Sequence, residues 1–117
     1  MIYFNQYLIK ELTQTTMPFF QYQDNPPTIE LSVEDINYLM EISTMKTKEL
    51  KAECKRTGAK QTTAGWNIKR TKQMNLMATR LGHYNYLDIE FEKRLLLDKI
   101  FVGLEMGANI NDYIATD

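Results

Sequence analysis

Apolar side chains recur along most of this chain at intervals of three and four, and polar residues fall between them where helices start and stop. Residues 2–11 carry Tyr3, Phe4, Tyr7 and Leu8 at near-helical spacing and predict a first helix. Residues 13–27 hold Pro18, several glutamines and the pair Pro26-Pro27, and predict a loop. Residues 28–31 read as a short strand or plain extended chain. Ser32 is a good N-cap, with Asp35 placed to reach back to it. The helix that follows shows Val33, Ile36, Leu39 and Met40 on one side and ends near Ser43.

Thr47 is placed to cap the next helix, which runs to about Arg56 with Gly58 just past its end. Leu50 and Cys54 share one face of it, and Lys48, Lys51 and Lys55 form another. Residues 57–70 read as a polar, basic loop bearing the only tryptophan, Trp66, with a weak pattern for a short hairpin. Thr71 can cap a helix through Leu81, in which Met74, Met77, Ala78 and Leu81 make a buried stripe. Lys69, Lys72, Gln73 and Arg80 then fall together on another face, with Leu76 as an apolar intruder. Gly82 ends that helix. Asn85 caps the next with Asp88 in capping-box position, and Tyr84 and Ile89 are spaced for a hydrophobic staple. The last long helix is expected from about Tyr86 to Glu105. Its apolar residues (Leu87, Phe91, Leu95, Leu96, Ile100, Val102, Leu104) cover more than one stripe, which predicts the central core helix. Residues 108–117 have room for one further turn.

These elements predict a mainly α protein: a compact bundle of four to five helices with a loop-rich N-terminal arm and room for one short strand or hairpin. The 117 residues make one domain, divided into an N-terminal helix and arm (1–31), a helical core (32–105) and a tail (106–117). Hydrophobic content of 44% and charged content of 25% are those of a globular chain. The single cysteine forbids an internal disulfide and fits a reducing compartment, so a cytoplasmic location is expected. No apolar run approaches the ~20 residues of a membrane span, and the first residues lack the features of a signal peptide.

Charge changes this picture more than composition does. The formal net charge is −1, but it is divided into blocks. Residues 1–45 carry one base and six acids, and residues 81–117 carry three bases and seven acids. Between them, residues 46–80 carry ten bases against two acids, a local net charge of +8. The basic block supplies the candidate binding residues: Lys48, Lys51, Lys55, Arg56, Lys60, Lys69, Arg70, Lys72 and Arg80, with Trp66 as a side chain able to stack on an exposed base. Three readings of the block stand open: a surface for nucleic acid or another polyanion, a surface for an acidic protein, or solvation alone.

Candidate chemistry narrows the function classes. His83 is the only histidine and cannot build a zinc site of the usual ligand count. Cys54 lies on the Leu50 face and reads as a buried thiol rather than a nucleophile. The chain has no Gly-rich phosphate loop and no His-Glu metal signature. No enzyme activity and no cofactor are expected. The short turn at Gly82 has the outline of a helix-turn-helix, but Asp88, Glu90 and Glu92 at the start of the second helix would face phosphates unfavourably. The aromatics Tyr3, Phe4, Phe19, Phe20 and Tyr22 either pack the N-terminal arm onto the helices or line a protein interface.

The stretch Leu50-Lys-Ala-Glu-Cys-Lys-Arg, followed by Thr71-Lys-Gln-Met-Asn-Leu-Met-Ala-Thr-Arg-Leu-Gly-His-Tyr-Asn-Tyr-Leu-Asp88, resembles the small helical glyoxalase-related module of bacterial and mobile-element proteins. The likeness covers about residues 46–92, with residues 58–70 as an insertion. It implies a helical module and no glyoxalase activity, because true glyoxalases use several metal-binding His and Glu residues. Residues 47–58 are also similar to the first helix of a SAP-type DNA-binding pair. The functional expectation is a non-catalytic nucleic-acid-binding accessory factor of a phage or plasmid. The alternative is a small inhibitor or adaptor that binds a host protein or ribonucleoprotein complex, such as an anti-defence factor.

Overall fold

A computed structural model describes residues 2–4, 29–61 and 67–115. Four helices dominate: α1 (Val33–Ser43), α2 (Thr47–Thr57), α3 (Ile68–Arg80) and α4 (Phe91–Glu105). Short 3-10 turns lie at Tyr86–Asp88 and Ile110–Tyr113. Three short strands, β1 (Ile2–Phe4), β2 (Ile29–Leu31) and β3 (Ile114–Ala115), form an antiparallel sheet in the order β2-β1-β3. Tyr3 is opposite Glu30 on one side and Ala115 on the other. The mainly helical fold expected from the sequence is the one observed.

The first expected helix is corrected where it is described: Ile2–Phe4 is a strand. Ile, Tyr and Phe are strand-favouring residues, and so short an apolar run does not separate the two periods. The rest of that expected helix, and the loop after it, lie outside the described residues. The tail is also more than one turn, since its 3-10 turn leads into β3.

The helix ends obey local chemistry. Ser32 Oγ accepts the Asp35 N–H and Asp35 Oδ2 accepts the Ser32 N–H, both at 3.1 Å, closing the expected capping box on α1. Behind α2, Gly58 takes φ +77, a left-handed cap that suits glycine. Two starts differ from expectation. Lys46, not Thr47, is the N-cap of α2, and Glu49 accepts its N–H at 3.2 Å. Asn67, not Thr71, caps α3 by accepting the Arg70 N–H at 2.9 Å, so α3 begins inside the segment read as a loop.

The centre of the molecule is α3, not the last helix. Arg70 and the whole run 72–78 are buried, and α3 packs on α1, α2, α4 and the first 3-10 turn. Its polar core residues are paired: Gln73 Nε2 donates to the Ile42 carbonyl at 3.2 Å and Asn75 Nδ2 to the Lys60 carbonyl at 3.1 Å. Among the described residues, no buried side-chain nitrogen or oxygen lacks a hydrogen-bond partner. Leu76, out of place on a polar face, is therefore an ordinary core residue. Around α3 stand Ile36, Leu39 and Ile42 of α1, Leu50 and Cys54 of α2, and Leu96, Leu97, Ile100 and Phe101 of α4. Each such fully buried aliphatic or aromatic side chain contributes about 1.5–3 kcal/mol. Val33 and Met40, expected on the buried side of α1, are exposed, and Ile42 takes their place. No helix among the described residues is long and apolar enough to cross a membrane.

The Asn85 capping box forms, but it heads only the 3-10 turn Tyr86–Asp88. Ile89 then goes extended (φ −80, ψ 139) and enters the core, and α4 starts at Phe91. The Arg94 Nε donates to the Ile89 carbonyl at 2.9 Å, satisfying the acceptor left by the break. Tyr84 is left 76% exposed while Ile89 is buried, so the expected staple does not close.

Candidate nucleic-acid interface

Helix α2 turns Leu50 and Cys54 to the core. Lys48, Lys51, Ala52 and Lys55 are exposed and fall within about 100° of arc, roughly a third of a turn from the buried pair. Both acids of α2 are engaged off this arc. Glu49 holds the Lys46 N–H. Glu53 accepts from the Tyr38 hydroxyl at 2.8 Å and from Arg56 through two bonds of 2.6 and 2.7 Å. The Arg56 guanidinium holds the Glu53 carboxyl below its ordinary 4.5, against the opposing effect of burial, and the Tyr38 hydroxyl helps. Burial, and then the Glu53 carboxylate, push the Tyr38 phenol up. Among the described residues, no acid forms an ion pair with the lysines of this arc.

The other expected binding residues are placed differently. Arg56 is exposed but bound to Glu53. Lys69 pairs with Glu105 at 3.6 Å. Arg80 pairs with Asp35 at 2.7 Å and lies over the Tyr38 ring, 5.0 Å from its centroid. Burial raises the Asp35 carboxyl, but the Ser32 N–H and Arg80 outweigh it, leaving the group below its ordinary 3.8.

Arg70 and Lys72 are corrections: only 7% and 4% exposed, they belong to the interior rather than to a basic surface. Arg70 bonds Gln73 Oε1 at 2.9 Å, Asp98 Oδ1 at 3.1 Å and Glu105 Oε2 at 2.8 Å, and stacks on Phe101. Lys72 sits where its charge opposes the effect of burial on Cys54, whose thiol is nevertheless pushed up from its ordinary 9.0. Cys54 is accordingly a protonated core thiol at neutral pH, not a nucleophile. Trp66 lies outside the described residues.

Lys60 is exposed, with its ammonium 5.8 Å from the centroid of the Tyr84 ring. Lys46 is exposed as well. Neither Lys46 nor Tyr84 was assigned to the site by periodicity. Lys46 sits at a helix cap, and Tyr84 occupies the position of a staple residue that only a longer helix would have buried.

Apart from the lysines, α3, α4 and the turn at Tyr86 frame an open cleft of about 220 Å³, lined in part by Met74, Tyr86, Phe91, Arg94 and Leu95. Phe91 is 61% exposed, and the Arg94 guanidinium lies 5.3 Å from its centroid. His83 is exposed. Among the described residues no group of three or more His, Cys, Asp or Glu side chains is placed to hold a metal ion. No family model, curated protein or solved structure among known proteins matches this chain.

Proposed function

We propose that this protein is a non-catalytic binder of nucleic acid and that the outer face of α2 is its contact surface. The observation that carries the reading is the row Lys48, Lys51, Lys55, exposed side by side while the acids of the same helix are bound elsewhere. Like charges three and four residues apart cost an isolated helix about 0.2–0.5 kcal/mol per pair. A polyanion turns that cost into affinity. The seven residue steps from Lys48 to Lys55 rise about 10 Å, about three phosphate intervals along one strand at the roughly 3.4 Å spacing of a duplex.

Fluorescence anisotropy of a labelled oligonucleotide tests this. Three phosphate contacts give a log–log salt slope of about −2 to −3, so affinity should fall roughly 20- to 40-fold between about 50 and 200 mM salt. No binding at the lower salt sinks the proposal.

The cleft beside Phe91 favours a second reading, an adaptor that grips a protein. At about 220 Å³ it is smaller than the roughly 300–1,000 Å³ of small-molecule pockets, a size suited to one apolar anchor of a larger partner. No carboxylate pairs with Arg94 among the described residues, which suits an acidic residue beside that anchor. Capture of one stoichiometric protein that is abolished by Phe91→Ser and unaffected by Lys51→Gln would favour this reading over the first.

A further inference from the structure

We infer that the nucleic acid is single-stranded and that one of its bases stacks on Tyr84, an inference that rests on the function proposed above. Tyr84 is a large aromatic, 76% exposed, with no part in the core. The residues on either side of it are held by hydrogen bonds. Gly82 at φ +88 ends α3, and the His83 N–H donates to the Ala78 carbonyl at 2.9 Å. On the other side, Asn85 Oδ1 accepts the Leu87 N–H at 2.6 Å. Tyr84 thus sits between two anchored neighbours while its side chain is exposed to solvent.

The platform is joined to the lysine row through one buried side chain. Asn75 donates to the Lys60 carbonyl at 3.1 Å and accepts the Tyr86 N–H at 3.0 Å, so it pins the chain leaving α2 against the turn that carries Tyr84. Lys60 follows Lys55 by five residues, no more than about 17 Å of chain. Lys60 lies just past the C-terminal end of α2, the end nearest Lys55, and its ammonium stands over the Tyr84 ring at 5.8 Å. That distance is near the outer limit of a cation–π contact, and Tyr84 stays largely exposed beside it. A lysine row on a helix, with a further lysine and an exposed aromatic past its end, suits a single strand, where charge follows the backbone and a π-face takes a base. A duplex hides its base faces and gains nothing from Tyr84.

The test is titration of a labelled single strand and of its duplex into the wild type and Tyr84→Ala, with Tyr84→Phe alongside. Tyr84→Ala should weaken single-strand binding roughly 5- to 150-fold, leave the salt slope unchanged and leave duplex binding unaffected. Tyr84→Phe should retain the wild-type affinity, and in the wild type the Tyr84 ring protons should shift upfield as the single strand is added. Unchanged melting of Tyr84→Ala shows that the fold is intact. Equal single-strand affinity for wild type and Tyr84→Ala overturns the inference while leaving salt-dependent binding by the lysines in place. Duplex binding as tight as single-strand binding overturns it too. Absence of all oligonucleotide binding overturns both this inference and the function on which it rests.

Discussion

Arg70 uses its guanidinium wholly within the protein, joining α3 to Asp98 and Glu105 of α4 and to Gln73 on its own helix. Removing it leaves Asp98 without its cation and Glu105 with only the longer Lys69 contact, in a setting that keeps only part of their water. Breaking a buried pair costs about 3–5 kcal/mol. The two carboxylates are about one-third exposed, so Arg70→Ala should cost less, about 2–3 kcal/mol, read as a lower urea midpoint. Arg70→Lys should recover only part of it, because an ammonium does not reproduce the fork. Neither variant should alter the salt slope of oligonucleotide binding by the folded protein. A slope reduced by Arg70→Ala at unchanged stability would return Arg70 to the binding surface. In the sequence Arg70 is one of the ten bases of residues 46–80, and its partner Asp98 lies 28 residues away on another helix. Linear spacing has no access to such a pair. It does reach Lys48, Lys51 and Lys55, whose exposure follows from their spacing against Leu50 and Cys54.

At the scale of elements, the packing of α4 turns on one glycine. A Cβ built on Gly103 falls on the Tyr113 hydroxyl, and the ring carbon bearing it stands 2.8 Å away. Tyr113 closes the 3-10 turn that leads into β3. In an unobstructed helix Gly→Ala gains about 1 kcal/mol, whereas overpacking costs about 1–3 kcal/mol. Gly103→Ala is therefore expected to lower the Tm, and the loss should shrink in a Tyr113→Leu background, where the ring is gone. A raised Tm for Gly103→Ala alone would contradict this packing.

The helix ends were legible wherever capping is local, as at Ser32-Asp35 and Gly58. The same local signal at Asn85-Asp88 misled, because it heads a 3-10 turn as readily as an α-helix. What accompanies the break is burial of Ile89, a tertiary effect, and the reach of Arg94 to its carbonyl five residues back, which capping signals do not encode. The central place of α3 was hidden for a related reason. Gln73 and Asn75 look like solvent-facing residues until their partners Ile42 and Lys60 are brought to them.

Over the whole molecule, the charge blocks of the sequence become ion pairs between blocks. Basic residues of 46–80 meet the acidic N-terminal third at Arg80–Asp35 and the acidic C-terminal third at Arg70–Asp98 and Arg70–Glu105. The lysines of α2 are outside those pairings, so a net +8 written in the sequence is reduced in the fold to a narrow basic row. The Arg80–Asp35 pair, together with the Arg56–Glu53 pair inside α2, also sets the acid response. Asp35 and Glu53 hold their protons more weakly in the folded chain than their ordinary values of 3.8 and 4.5 imply. Their stabilising contribution is complete above those values and is lost as pH falls through the lower folded ones. Melting followed by circular dichroism should show Tm declining below about pH 4.5. The double variant Asp35→Asn/Glu53→Gln should start lower at neutral pH and decline less steeply. An equal acid decline in both proteins would contradict the assignment.

The central claim is that the outer face of α2 carries the binding. Its most direct test is the salt slope of oligonucleotide affinity for the wild type and for Lys48→Gln/Lys51→Gln/Lys55→Gln. The predicted result is a slope shallower by about 2–3 in the variant, with stability unchanged or slightly raised as like-charge repulsion is removed. The same slope in both proteins would contradict the claim.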